Sequence, residues 1–222
     1  MSEMKTIVCY GDSNTYGQNP EFSVDATKPF RHPAEVRWTG ILGECFKGKA
    51  RVIEEGLSGR TTVWDNPVEP HRNGIKTLPA CLMSHAPIDL LVIMLGTNDM
   101  RGQYTPIPFN LYNAMNAFLA EAVNPVWQIA GGNMKILLVS PPYLKKSEGK
   151  SPWPGLFPDE YVELTHQMAS IYKSLADKYH IDFLDAAEYA EASDIDFAHM
   201  TPENHAKLAE ALKIKIESIL DF

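Results

Sequence analysis

Leu90-Leu91-Val92-Ile93-Met94-Leu95-Gly96-Thr97-Asn98-Asp99 decides the fold: six apolar residues run without a break, then a glycine and three polar side chains follow. A strand with one wet face alternates apolar and polar residues, whereas an unbroken run is covered on both faces, as in parallel sheets flanked by helices. Six residues are far too few to span a bilayer. Residues 5–10, 51–54, 135–139 and 181–184 form four more short apolar runs, and three of the five are nearly continuous in Val, Ile and Leu. Between them the spacing turns helical. Residues 37–46 carry Trp38, Ile41, Leu42 and Cys45 on one face, and 112–123, 161–179 and 202–219 are patterned alike. Residues 71–85 read more weakly, because Gly74 and Pro79 interrupt them. The alternation predicts an α/β fold, a three-layer α/β/α sandwich on a five-stranded parallel sheet with right-handed crossovers. The flavodoxin-like strand order 2-1-3-4-5 suits so few strands. With no composition break, repeat or low-complexity segment, one domain is expected over residues 1–222.

Composition narrows the partners. Twenty Lys and Arg stand against 28 Asp and Glu, a net charge of −8. An acidic surface is a poor match for nucleic-acid backbone or an anionic membrane, so neither is an expected partner. Hydrophobic residues at 45% and charged residues at 22% exclude intrinsic disorder. The N-terminus passes directly into the first strand with no apolar segment of signal length. Cys9, Cys45 and Cys81 are widely spaced among apolar neighbours and read as buried, reduced thiols of a cytoplasmic protein. Two long loops, residues 18–36 and 140–158, leave the C-terminal ends of strands, where open α/β sheets place their sites. The second holds five prolines together with Trp153 and Phe157, and is expected to rim a site or touch a second subunit.

Four segments on that same sheet edge carry chemistry. Tyr10-Gly11-Asp12-Ser13-Asn14-Thr15-Tyr16-Gly17 follows the first strand, and its glycine allows a turn that presents Ser13 to the crevice. Gly56-Leu57-Ser58-Gly59-Arg60-Thr61-Thr62 follows the second and lets backbone amides approach a ligand. Gly96-Thr97-Asn98-Asp99 follows the third; an asparagine there can donate to a developing oxyanion. Asp194-Ile195-Asp196-Phe197-Ala198-His199-Met200-Thr201-Pro202 precedes the last helix, with Thr201 as N-cap and Pro202 in the first turn. His199 then lies just ahead of that helix, and Asp196 can fold back onto one imidazole nitrogen, with Asp194 as a competing partner. Singly, each segment also reads as an ordinary cap or turn. Jointly they supply a nucleophile, a base, an orienting carboxylate and hydrogen-bond donors, the set that acyl transfer needs.

These blocks resemble the GDSL, or SGNH, hydrolase family, named for Ser, Gly, Asn and His in four ordered blocks. Gly11-Asp12-Ser13 matches the first, Gly59 the second, Asn98 the third and Asp196-x-x-His199 the last. Val36-Arg37-Trp38-Thr39-Gly40, Val52-Ile53-Glu54-Glu55-Gly56-Leu57-Ser58 and Met94-Leu95-Gly96-Thr97-Asn98-Asp99 look like its bacterial arylesterase branch. That branch includes esterases able to transfer acyl groups to alcohols or peroxide. The resemblance implies Ser13, Asp196 and His199 as catalytic residues, and an oxyanion hole made by the Ser13 and Gly59 amides and the Asn98 side chain. It implies a small ester as substrate, no cofactor or metal, and compact homo-oligomers, octamers among them. Asp12, Asn14, Gln18, Thr97, Trp153, Phe157 and Ala198 are the residues expected around the substrate, with Asp12 bracing the turn. Asn14 stands where the family name has leucine; with Gln18 it predicts a more polar pocket. Esters of short acyl chains with aryl or simple alcohols are the expected substrates, and sugar acetates the alternative.

Other readings fit less of the chain. A two-metal phosphoesterase needs an upstream Asp-x-His and a histidine after Asn98, and neither is present. A flavin-binding module can use the loop after strand one but leaves Asn98, Asp196 and His199 without a role. The seven histidines form no zinc-type helix pair, and His166, His180 and His205 read as surface or helix-end residues.

Overall fold

The computed structural model describes residues 4–128 and 133–222. Along the chain run β1 (Lys5–Gly11), α1 (Ser13–Tyr16), α2 (Trp38–Cys45), β2 (Ala50–Gly56), α3 (Gly74–His85), β3 (Leu90–Met94), α4 (Pro108–Ala122), β4 (Lys135–Ser140), α5 (Asp159–Tyr179), β5 (Asp182–Asp185) and α6 (Pro202–Leu220). The five strands pair in the order β2-β1-β3-β4-β5, every pair parallel, as the sequence predicts.

The unbroken apolar runs now have a packing reason. Alternate residues of one strand feed opposite layers. Ile7, Cys9, Val92, Met94, Leu137 and Val139 pack with Trp38 and Leu42 of α2 and with Leu208, Leu212 and Ile216 of α6. Val8, Tyr10, Leu91, Ile93 and Leu138 pack with Leu78 and Leu82 of α3, Met115 and Phe118 of α4, and Tyr172 and Leu175 of α5. Full burial of one such aliphatic side chain contributes roughly 1.5–3 kcal/mol.

The weakly read segment 71–85 is a helix over Gly74–His85 with Pro79 inside it. Leu78 and Leu82 anchor it, and tertiary burial outweighs the local propensity. The 18–36 segment is not structureless. Asn19 caps a 3-10 turn at Pro20–Ser23, and Gln18 bridges to Arg31. Arg31 donates to Glu54 at 2.9 Å, and Arg37 reaches the same carboxylate through Nε and Nη2 at 2.8 Å each. A half-buried glutamate at the sheet edge therefore pins the loop. Of the three cysteines expected to be buried, Cys9 and Cys81 are, but Cys45 is exposed because it falls at the outer end of α2.

Candidate active site

Each of the four segments begins or ends at the C-terminal edge of the sheet. Gly11 ends β1, and a side chain there would sit 2.7 Å from the Met94 carbonyl, so the turn requires glycine. Asp12 caps the short helix that follows by accepting from the Asn14 amide at 3.0 Å. Ser13 is the first residue of that helix, at the cavity wall. The turn after β2 places Gly59 at φ +81°, in the left-handed region. Arg60 locks this turn against β1: its Nη1 donates to Gly11 O at 2.9 Å and to Glu55 O, and its guanidinium lies 4.0 Å from the Tyr10 ring centre.

Asn98 joins three segments. Its Nδ2 donates to Arg60 O at 3.1 Å and approaches Asp12 Oδ2 at 3.4 Å, while its Oδ1 accepts from Arg101 Nε at 3.2 Å. The amides of Ser13 and Gly59 have no acceptor among the described residues. Next to Asn98, Asp99 accepts from the Thr62 amide at 2.9 Å and from the Thr62 hydroxyl, tying the turn after β3 to the turn after β2.

His199 Nδ1 meets Asp196 Oδ2 at 2.6 Å. The loop closes on itself because Phe197 takes φ +67°, a costly conformation for an aromatic residue, supported by its carbonyl accepting from Lys145 N at 2.9 Å. Asp196 also accepts from the His199 and Ala198 amides at 2.9 and 3.1 Å and from the hydroxyls of Ser193 and Ser23 at 3.2 and 3.1 Å. Burial works to raise its carboxyl, but the His199 ring and these donors hold it below the usual carboxylate range. The competing partner, Asp194, is instead out in solvent and paired with Lys145 at 2.8 Å.

Ser13, Gly59, Asn98 and His199 line one cavity of about 230 Å³. Gln18, Thr97, Trp153, Phe157 and Ala198 line it too. The Trp153 and His199 rings stand perpendicular with their centres 5.6 Å apart, so the 140–158 loop reaches over the site of its own chain. The cavity also takes in Ser58 of the second segment, and Phe30, Glu69, Arg72, Arg101 and Leu156, which lie outside all four segments. Arg101 follows Asn98 by three residues and was within reach of a motif search; Phe30, Glu69 and Arg72 lie in loops with no local signature.

Two expectations need correction. Asp12 and Asn14 do not line the cavity. Both are about 1% exposed, turned inward as struts rather than substrate contacts. Asn14 Nδ2 donates to Ala198 O at 3.1 Å and its Oδ1 accepts from the Met200 amide at 3.0 Å, so it ties the serine turn to the histidine loop instead of making the pocket more polar. Burial raises the Asp12 carboxyl to about 6 and the Asp99 carboxyl to about 7. His205 stands in the first turn of α6, at the helix end, but it is not on the surface. It is fully buried beneath α2, with Nδ1 accepting from the Trp38 amide at 3.4 Å and its ring edge-on to His32 at 5.5 Å.

The family model of the GDSL-like lipase/acylhydrolases matches residues 9–207. The chain belongs to this family. No curated protein sequence matches it. An aryl esterase of M. smegmatis is 35% identical, with a TM-score of 0.87 over 97% of this chain and 99% of that one. Est24, a carbohydrate acetylesterase of Sinorhizobium meliloti, is 33% identical, with the same TM-score and coverage. A lipase/acylhydrolase of Enterococcus faecalis, 17% identical with a TM-score of 0.66 over 97% and 96%, shares the fold. For a GDSL-like hydrolase, Asn14 departs from the leucine of the family name, and its two bonds to the histidine loop give that departure a structural reason. No helix among the described residues is long and apolar enough to cross a membrane. Glu55, Cys81 and His85 bring ligand-type atoms within 4.8 Å of one another, but none of them lines the cavity. Cys81 and His85 are four apart on α3, a mixed pair that a search for paired histidines passes over.

Proposed function

We propose that this GDSL-like hydrolase is a serine esterase for short-chain acyl esters, working through an acyl-serine. The observation that carries this reading is one cavity holding Ser13, Gly59, Asn98 and His199, with the buried Asp196 carboxylate 2.6 Å from the far nitrogen of the His199 ring. Ser13 Oγ attacks the ester carbonyl. His199 Nε2 takes the serine proton and returns it to the leaving alcohol, while Asp196 holds the ring and stabilises its cationic form. The Ser13 and Gly59 amides and Asn98 Nδ2 receive the oxyanion. Water then enters, with His199 as base, and frees the acid.

The cavity volume, about 230 Å³, falls below the usual range for drug-sized ligands and favours acetyl-type groups. Esters of aryl or simple alcohols are the proposed substrates. Sugar acetates are the second reading, supported by the structural likeness to a carbohydrate acetylesterase. Transfer to an alcohol or peroxide in place of water is part of the proposal, and the aromatic cover of Trp153 and Phe157 supports it by limiting water. Three free cysteines suit a cytoplasmic setting. Exposed apolar side chains such as Val68, Met83 and Phe109 suit a homo-oligomer.

A fluorophosphonate probe is expected to label Ser13, located by peptide mass spectrometry. Short-chain nitrophenyl esters and acetylated sugars, assayed beside it, rank the substrates. An unlabelled Ser13 would overturn the mechanism. If only free acid forms from an ester in buffer with excess alcohol, the transfer activity is rejected. Sedimentation as a monomer rejects the oligomer.

A further inference from the structure

Two arginines share one carboxylate at the cavity wall. Arg101 Nη1 is 3.1 Å from Glu69 Oε2, and Arg72 Nη2 is 3.3 Å from Glu69 Oε1. All three residues line the cavity. Both guanidiniums also lie against Gly59, where an ideal Cβ would be 3.0 Å from Arg101 Nη2 and 3.5 Å from Arg72 Nε. Arg101 Nη2 has no acceptor among the described residues, since its Nε is taken by Asn98 and its Nη1 by Glu69.

Charge accounting gives the group a direction. Two guanidiniums against one carboxylate leave one positive charge in excess, in a chain whose net charge is −8. Asp196, Asp99 and Asp12 are bonded to His199, Thr62 and the Asn14 amide, and none of them pairs with Arg72 or Arg101 among the described residues. Arg101 is 12% exposed at its side chain and Arg72 25%, enough to meet a ligand and sheltered enough to strengthen the contact. A planar guanidinium pair of this kind matches a carboxylate, which accepts two parallel N–H bonds.

We propose that the cavity selects esters that carry a carboxylate on the acyl or the alcohol side, bound by Arg72 and Arg101 beside Gly59. The proposal deepens the esterase reading and rests on it. Arg101 has a second part as a positioning residue, because it holds the Asn98 carbonyl. Arg72 and Glu69 are therefore the cleaner positions to change.

The test compares kcat/KM within two matched pairs. Nitrophenyl hemiglutarate against nitrophenyl valerate places the charge on the acyl side. Para-acetoxybenzoate against its methyl ester places it on the alcohol side. The charged member of at least one pair is expected to be preferred by roughly tenfold, the worth of one charge-assisted hydrogen bond. The pair that shows the preference identifies the side. The preference should fall as salt is added. Glu69→Gln removes the neutralising carboxylate and should widen the preference, a gain that a purely structural role does not produce. Arg72→Glu should reverse it. Equal kcat/KM within both pairs, or a preference unmoved by both substitutions, overturns the proposal while turnover of the neutral esters leaves the esterase reading standing. Failure to turn over any of the four esters overturns both.

Discussion

His199 and His205 stand six residues apart at the start of α6, and both are nearly inaccessible, at 6% and 0% exposure. Their surroundings give them opposite properties. His199 has a carboxylate on Nδ1 and an edge on the cavity that Ser13 also lines, so its Nε2 is placed for the proton exchange proposed above. His205 has a backbone amide on Nδ1, a second imidazole at its edge and no partner for Nε2 among the described residues. Burial lowers its ring to about 3, with the charges of His32, His199 and Arg37 adding to the effect. The same side chain is thus the proposed base in one place and a buried packing element in the other. The carboxylate and the open edge make the difference.

The largest break in this comparison is to take the carboxylate away. Asp196→Asn is expected to lower kcat on a nitrophenyl acetate by about four orders of magnitude, with little change in fold by circular dichroism. His205→Asn, carried through the same assay, should leave kcat close to wild type. If the two variants lose activity alike, the distinction drawn between the histidines is wrong.

Next in size is Asn98→Ala, expected to reduce kcat by roughly 100- to 1,000-fold through loss of one oxyanion donor. Single-turnover acylation should slow by the same factor; an unchanged rate would remove Asn98 from the oxyanion hole. Asn14→Leu restores the leucine of the family name but strands the Ala198 carbonyl and the Met200 amide. Each unpaired buried group costs about 1–3 kcal/mol, which a urea titration would register as a lower midpoint. A leucine variant with wild-type stability would refute the strut.

The smallest effect is a pH dependence. An unfolded histidine takes its proton near 6.5, whereas folded His205 resists until about 3. The unfolded state therefore binds more protons in between, and stability present above pH 6.5 is lost as the pH falls. His205→Asn keeps an acceptor for the Trp38 amide and cannot titrate, so its urea midpoint should fall less than wild type between pH 7 and pH 5. Parallel curves would mean that His205 is not the group responsible.

Much of this was legible in the sequence because it is local. The run Leu90–Met94 announces a strand buried on both faces, and Asp196-x-x-His199 announces a carboxylate within a turn of its base. Thr201 and Pro202 mark where α6 must start, and Thr201 does cap it. Asn14 misled for the opposite reason. A polar residue beside the nucleophile reads as pocket lining, and only its bonds to residues 184 and 186 positions away reveal a strut. Cys45 and His205 have similar local patterns of apolar neighbours or helical position, yet one faces solvent and the other the core.

The sequence by itself determined the strands and helices and the four blocks, since hydrophobic period, caps and turn residues act over a few neighbours. Only the tertiary structure decided that Asp196 and not Asp194 holds His199, that Asp12 and Asn14 turn inward, and that Arg72, Arg101 and Glu69 meet beside Gly59. Those outcomes depend on which surfaces become buried together. Burial decides whether a polar side chain finds water, a partner or a ligand, and no window of adjacent residues contains that information.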